Sequence, residues 1–450
     1  MTQYWLYTAL SSEQLHDVIE KSAAAQKLWA GTTAKHRARV LNTWYQLILD
    51  NQNDLARIMT LEQGKPLVES KGEVVYGASF VQWFAEEGKR TYGENIPSPL
   101  SDRRISTIKQ PVGVAAAITP WNFPIAMITR KAAPALAAGC SFIGKPANQT
   151  PLSAYAIAVL AERAGLPKHL LQIVNSHSSV MVGKTFCSHP LVNKISFTGS
   201  TEVGRELMKL SAAQVKRTSM ELGGNAPFVV FDDADIDAAV QGAMDSKFRN
   251  AGQTCVCANR FYVHSKVHDE FVAKFAQKIS ELKVGDGLDT GVQIGPLIDQ
   301  KAKLTVLNHL NGAIKQGAKV VAGGADLDGL FVEPTLLTEV TQQMDIVQTE
   351  IFGPIAPVIK FESDDELIAM ANDSIYGLAS YFYSKDINRI FHIAEALEYG
   401  MVGVNEGIIS TEVAPFGGIK QSGIGREGAK QGIDEYLNTK YICFGGLSVN

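Results

Sequence analysis

Residues 194–212 read KISFTGSTEVGRELMKLSA. The first part is a short apolar strand pattern that stops at Gly199–Ser200. The second part has helical spacing, with Glu202 in its first turn. A strand that passes through a glycine turn into a helix is one βα step, and the step recurs upstream. GVAAAITP (113–120) is an apolar run ending in a proline turn. TRKAAPALAAG reads as helix, CSFIGKPA (140–147) as strand, SAYAIAVLAERAG as helix and LLQIVNS as strand. Apolar strands alternating with amphipathic helices predict parallel βαβ units with both sheet faces covered. Such sheets bind ligands at the carboxyl ends of their strands, where loops lead into helices.

Before these units the chain is helical. Ser12 is the expected N-cap of a helix whose face carries Leu15, Val18, Ile19 and Ala23. Val40, Leu41, Trp44, Leu47 and Ile48 repeat at helical spacing, which predicts a helical hairpin ending near Gly64. Beyond Gly223–Gly224 a second α/β pattern starts. It has helices over 266–282, 300–316 and 385–397, and strands near 319–322 and 355–361. A chain of 450 residues is too long for one ordinary core, so two or more domains are expected.

Bulk properties narrow the function. The formal net charge is −4, with no basic run, which argues against a nucleic-acid surface. No apolar stretch approaches the ~20 residues of a membrane span. The opening MTQYWLYTALSSEQ lacks the basic region and apolar run of a signal peptide. The five cysteines, 140, 187, 255, 257 and 443, are few and scattered. They point to a reducing compartment, so a cytoplasmic protein is expected.

Three glycine motifs compete for a phosphate. GCSFIGKP (139–146) nearly spells a P-loop, but Pro146 stands where a Mg²⁺-holding hydroxyl is needed. Lys145 reads equally as a phosphate or ribose contact and as a surface lysine. GIGREG (423–428) matches GxGxxG without a preceding strand or a following βαβ unit, and reads as a flexible loop. SFTGSTEVG (196–204) fits best, because its helix N-terminus offers free N–H groups and a positive dipole end to a pyrophosphate.

FRNAGQTCVCANR (248–260) brings two cysteines within one turn. Most free cysteines are buried small hydrophobes. A zinc site from Cys255, Cys257, His264 and His268 has the wrong cysteine spacing. A papain-like pair lacks a histidine in any turn motif. The remaining reading is a nucleophilic thiolate at Cys255.

This stretch, together with ITPWNFP, SFTGSTEVG, MELGGNAPFVVFDDAD, EIFGPI and APFGGIKQSGIGREG, resembles the aldehyde dehydrogenase superfamily, from about residue 10 to the C-terminus. TLEQGKPL, WFAEEGKRTYGE, AMITRKAAPALAAGC and EYLNTKYIC are similar to its succinate-semialdehyde dehydrogenase branch. The resemblance implies an α/β fold: a Rossmann-type NAD(P)-binding domain over 1–222, a catalytic domain over 223–421 and a small β oligomerisation element. That element would take strands from 101–112 and from the tail 422–450, in a homodimer or homotetramer. The family usually carries a longer N-terminal segment than this chain.

By the same resemblance, Cys255 is the nucleophile, Glu221 the general base and Asn122 the oxyanion donor. Without the resemblance, Glu221 reads more readily as a solvated or helix-capping residue. Thr119, Trp121, Lys145, Asn148, Gly199, Ser200, Leu222, Glu350 and Phe352 would hold the cofactor. Family members bound to NAD often carry Glu where Asn148 stands, and NADP users carry a small hydroxyl residue. Asn148 brings no charge against a 2′-phosphate and Lys145 can pair with one, so NADP is expected, with NAD as the alternative. Arg130, Arg249 and Ser410 would clamp the substrate's carboxylate, since arginine presents a planar fork to it. Cys257 reads either as the partner of Cys255 in a strained, reducible disulfide or as packing under the loop, the disulfide being the expectation. No metal is expected. The implied reaction is oxidation of succinate semialdehyde to succinate. Glutarate semialdehyde, another ω-oxo acid or a neutral aldehyde are alternative substrates; a silent cofactor-binding relative and a thiol hydrolase are alternative functions.

Overall fold

Helical periodicity in the first 90 residues builds four helices, Ser12–Ala30, Ala34–Asp50, Gln52–Gln63 and Leu67–Glu87. The computed structural model describes residues 9–447; positions 1–8, part of the signal-peptide reading, and positions 448–450 of the tail lie outside the described residues. The first N-cap is Ser11, one residue before the Ser12 expected. Its hydroxyl accepts from the Gln14 N–H while the Gln14 side chain accepts from the Ser11 N–H, so both residues of a capping box are in place. Gly64 closes the third helix with φ 97°, a left-handed cap that costs glycine little. Trp29 and Trp44 are buried and donate their indole N–H to the carbonyls of Leu136 (2.8 Å) and Ile157 (2.9 Å). They tie the helical layer to the helices Ala126–Ala138 and Pro151–Arg163 that cover the first sheet, each contributing roughly 1.5–3 kcal/mol by burial.

The βα steps form a six-stranded sheet, in the order Gly423–Ile424, Arg217–Glu221, Val192–Thr198, Val114–Ile118, Ser141–Lys145, Leu171–Ile173. Every pairing is parallel except that of Gly423–Ile424. Val114–Ala117 and Ser141–Lys145 are buried along their length, as a sheet covered on both faces requires. The second sheet has seven strands: Lys319–Ala322, Thr335–Thr338, Ile355–Phe361, Ala258–His264, Ala226–Val230, Ala379–Tyr383, Met401–Val404. It is parallel but for its Lys319–Ala322 edge. The expected helices appear as Ser265–Ser280, Gln300–Lys315 and Ile387–Ala396.

A third, antiparallel sheet joins Asn95–Ile96, Arg104–Pro111 and Leu437–Phe444. A further expectation fails, beside the shifted cap. GIGREG is not a loose loop: Gly423 and Ile424 pair with Glu221 and Met220, and Glu427 is buried. The motif lacks a preceding strand because it docks onto a strand laid down 200 residues earlier. Among the described residues no helix is long and apolar enough to cross a membrane.

Candidate active site

Parallel strands bring their carboxyl ends to one edge. Glu221 is the last residue of its strand, Asn122 follows Val114–Ile118, and Lys145 ends its own strand. Cys255 lies in the turn between Arg249–Gly252 and Ala258–His264. The connection from the first sheet to the second passes through Gly223–Gly224. A Cβ on Gly223 would sit 2.8 Å from Glu350 Oε2, and one on Gly224 would sit 2.4 Å from the Cys255 carbonyl. At Gly224, where the obstacle is main chain, only glycine lets the backbone pass.

Cys255 keeps partial exposure while protein surrounds most of it. Burial pushes its thiol up to about 11; the Arg130 guanidinium pulls it down, Glu350 and Glu221 push it further up, and Arg249 pulls it down. Glu221 is buried, and neither carboxylate oxygen has a hydrogen-bond partner. Burial, then the charge of Glu427, raises its carboxyl well above the usual range, against Arg130 and Lys131. A carboxylate with both oxygens open can take a proton from water or thiol. Asn122 is buried too. Its Nδ2 donates to the Gln253 carbonyl at 3.0 Å, and its Oδ1 has no partner. Nδ2 carries two hydrogens, so one remains for a developing oxyanion.

Most nucleotide-binding candidates lie at the same edge of the first sheet, while Glu350 and Phe352 come from the loop before Ile355–Phe361 of the second. Thr119 is buried with an unpartnered hydroxyl. Ser200 caps the helix Thr201–Ala212, accepting from the Val203 N–H at 3.4 Å. Leu222 is buried against Gly204. Lys145 donates to the Pro146 carbonyl and to Asn148 Oδ1, both at 2.8 Å, and burial lowers its ammonium to about 8. Glu350 accepts from the Gly224 N–H at 3.1 Å, and burial raises its carboxyl to about 7. The Trp121 and Phe352 rings meet edge to face at 5.6 Å. An orphaned hydroxyl at Thr119, a helix N-terminus at Gly199–Ser200 and a lysine at a strand end suit a dinucleotide.

The two arginines differ. Arg249 lines a small cavity with Ser410, Thr254 and Tyr381, and its guanidinium lies 4.9 Å from the Phe123 ring centre. Arg130 is buried in an ion pair with Glu427 and rests on Phe416 at 4.5 Å. Burial works against its charge, but Glu427, with Tyr76 and Glu221, outweighs it and raises the guanidinium above its ordinary range. Glu427 also pairs with Lys131. Cys257 is buried, its thiol 3.4 Å from the carbonyls of Lys247 and Ala258; all five cysteines are free. His264 packs on Phe361 and His268 pairs with Asp269, and no metal-ligating group of three or more forms among the described residues.

Several residues around the site have partners that the sequence does not reveal. Glu427 meets Lys131 across 296 positions. Tyr76 lies beside Arg130, close enough to Cys255 for its charge to be felt. Lys65 reaches the carbonyl of Asn122 at 2.6 Å across 57 positions. None of them follows a periodicity or a motif that names a partner.

A profile of the "Aldehyde dehydrogenase family" matches residues 2–442. The chain is 56% identical over 438 residues to a succinate-semialdehyde dehydrogenase [NADP(+)] of Escherichia coli, covering 97% of this chain and 91% of that one. It is 56% identical over 440 residues to a glutarate-semialdehyde dehydrogenase of Pseudomonas aeruginosa, covering 97% of this chain and 91% of the relative. A crystal structure of an aldehyde dehydrogenase from Brucella melitensis biovar abortus superposes with a TM-score of 0.97 at 58% identity, over 98% of this chain and 91% of that one. On fold, site geometry and sequence together, the chain belongs to the aldehyde dehydrogenase family.

Proposed function

We propose that this enzyme oxidises an aldehyde with a carboxylate at its far end, succinate semialdehyde foremost, and uses NADP. One observation carries the reading: the open carboxylate of Glu221 lies within electrostatic reach of Cys255, Asn122 bonds Gln253, two residues before Cys255, with one amide hydrogen free, and Arg249, Thr254 and Ser410 line a cavity alongside. Relatives that act on succinate and glutarate semialdehydes support the substrate class, and the NADP-dependent relative supports the cofactor.

The chain's residues divide the work by their chemistry. Glu221 takes the thiol proton, and the thiolate of Cys255 adds to the aldehyde carbon. The oxygen that becomes negative is held by Asn122 Nδ2 and the Cys255 N–H, donors worth roughly 10²–10³ each in rate. Bound NADP supplies the hydride acceptor. Thr119, Trp121, Lys145, Asn148, Gly199, Ser200, Leu222, Glu350 and Phe352 would hold it. Cys255 then carries the acyl group as a thioester. After passing the thiol proton to solvent, Glu221 deprotonates a water that attacks the thioester, and returns that proton to the departing thiolate as the acid is released. Arg249 and Ser410 orient the distal carboxylate, and Arg130, paired with Glu427, adds its charge.

We also propose domains over 1–222 and 223–421 and an association face on the three-stranded sheet, where Ile108, Tyr441 and Phe444 are exposed. Five free thiols agree with a cytoplasmic enzyme. The test of function is NADPH formation from succinate semialdehyde, glutarate semialdehyde and butanal, in parallel with Cys255→Ala. Activity lost with Cys255 and highest on the acids supports the reading. Activity retained without Cys255, or ester hydrolysis alone, refutes it.

A further inference from the structure

Lys65 is a buried lysine that touches none of the reacting groups, yet it grips the segment that carries one of them. Its ammonium donates to Glu73 at 2.6 Å and to the main-chain carbonyl of Asn122 at 2.6 Å, and lies 4.0 Å from the centre of the Phe123 ring. Glu73 in turn accepts from the N–H groups of Ile125 (2.9 Å) and Ala126 (3.2 Å), where the helix Ala126–Ala138 begins. One ion pair therefore holds the chain before and after Phe123. A second donor, Asn250 Nδ2, reaches the same Asn122 carbonyl at 3.1 Å.

The side chain of Asn122 is held far less firmly. It has one hydrogen bond, from Nδ2 to the Gln253 carbonyl, and nothing on Oδ1. The direction of its free N–H is then set by where the backbone at Asn122 stands. Lys65 is itself anchored from the other half of the molecule. The Leu67 N–H donates to the Gly287 carbonyl at 2.9 Å, and a Cβ on Gly295 would lie 2.4 Å from the Gly64 carbonyl. A buried ion pair contributes little net stability compared with apolar side chains of the same volume. The contribution specific to this pair is placement.

We infer that Lys65 is a positioning residue for the oxyanion donor: with Glu73 it fixes the Asn122–Phe123 peptide so that the free Nδ2–H of Asn122 meets the oxygen formed when Cys255 attacks. The inference rests on the role proposed above for Asn122. Misplacing a donor by about 1 Å can cost on the order of 10²-fold in rate.

The test is a double-mutant cycle read by single-turnover NADPH formation. Asn122→Ala is expected to lose roughly 10²–10³-fold. Lys65→Met is expected to lose about tenfold or more in the parent and less than about twofold in the Asn122→Ala background, because its effect passes through that amide. The KM for NADP stays within about twofold in each variant. Equal losses in both backgrounds overturn the inference and leave the role of Asn122 intact. No loss on Asn122→Ala overturns that role and the inference with it. Lys65→Met strands Glu73 as a buried charge, so Lys65→Met/Glu73→Gln, which removes both charges, runs through the same cycle. If neither variant melts cooperatively, Lys65 is a structural residue and the inference falls.

Discussion

Arg249→Leu separates substrate recognition from chemistry. The guanidinium lines the cavity with Ser410, rests on Phe123, and forms no ion pair among the described residues. Its charge is therefore available to a carboxylate, and leucine keeps the packing on Phe123. A charge-assisted hydrogen bond is worth about 1.5–3 kcal/mol. At about 1.4 kcal/mol per tenfold, losing it lowers kcat/KM for succinate semialdehyde roughly 10- to 150-fold. Arg249 also pulls the Cys255 thiol down, so its removal raises that thiol. That penalty falls on every aldehyde alike. The diagnostic quantity is the ratio of kcat/KM for succinate semialdehyde to that for butanal, a neutral aldehyde of equal chain length, in which the shared penalty cancels. Arg130→Leu is the control. It strips Glu427 of an ion-pair partner and removes a positive charge that holds the Glu221 carboxyl down. Both aldehydes then suffer and the ratio moves little. An Arg249→Leu enzyme whose ratio stays within about threefold of the parent would refute the clamp.

Three further outcomes follow from the site. The Glu221 carboxyl is raised in the folded protein, so its ionisation takes nothing from stability below its unfolded value near 4.3 and destabilises increasingly as pH climbs from there to the folded value. Glu221→Gln should melt at a higher temperature than the parent at alkaline pH, with the gap closing toward acid, while turnover falls at least about 10²-fold; a gap independent of pH counts against the raised carboxyl. Asn148→Glu places a carboxylate beside Lys145, which Asn148 now meets at 2.8 Å. NADP affinity should drop about tenfold or more with NAD unharmed, and equal effects on both in fluorescence titrations would sink the assignment. Mild peroxide followed by a thiol reductant should restore the parent more fully than Cys257→Ala, since a lone oxidised Cys255 proceeds to irreversible states. Equal recovery makes Cys257 packing alone, consistent with its contacts to Lys247 and Ala258.

Local order was legible in the amino-acid sequence because it depends on neighbours along the chain. The strand and helix of 194–212 appear where their apolar spacing puts them, as Val192–Thr198 and Thr201–Ala212, and the strands at 319–322 and 355–361 are in place to the residue. A covered parallel sheet reads as continuous apolar runs, and its strand ends point to the ligand edge. The family motifs marked Cys255, Glu221 and Asn122. The sequence could not tell which charges face one another. GIGREG reads as a loop because nothing near it is a strand, yet Gly423 pairs with Glu221, and Glu427 forms ion pairs with both Arg130 and Lys131. The two arginines look equivalent in the chain; one is committed to a carboxylate and the other stands open to the cavity. Lys65 and Asn122 belong to elements with no shared pattern and meet only when the helical layer closes on the sheet edge. Periodicity records which face of an element is buried. It carries no record of the partner across the core, because an ion pair or an orphaned carboxylate is set by the packing of the whole chain at once.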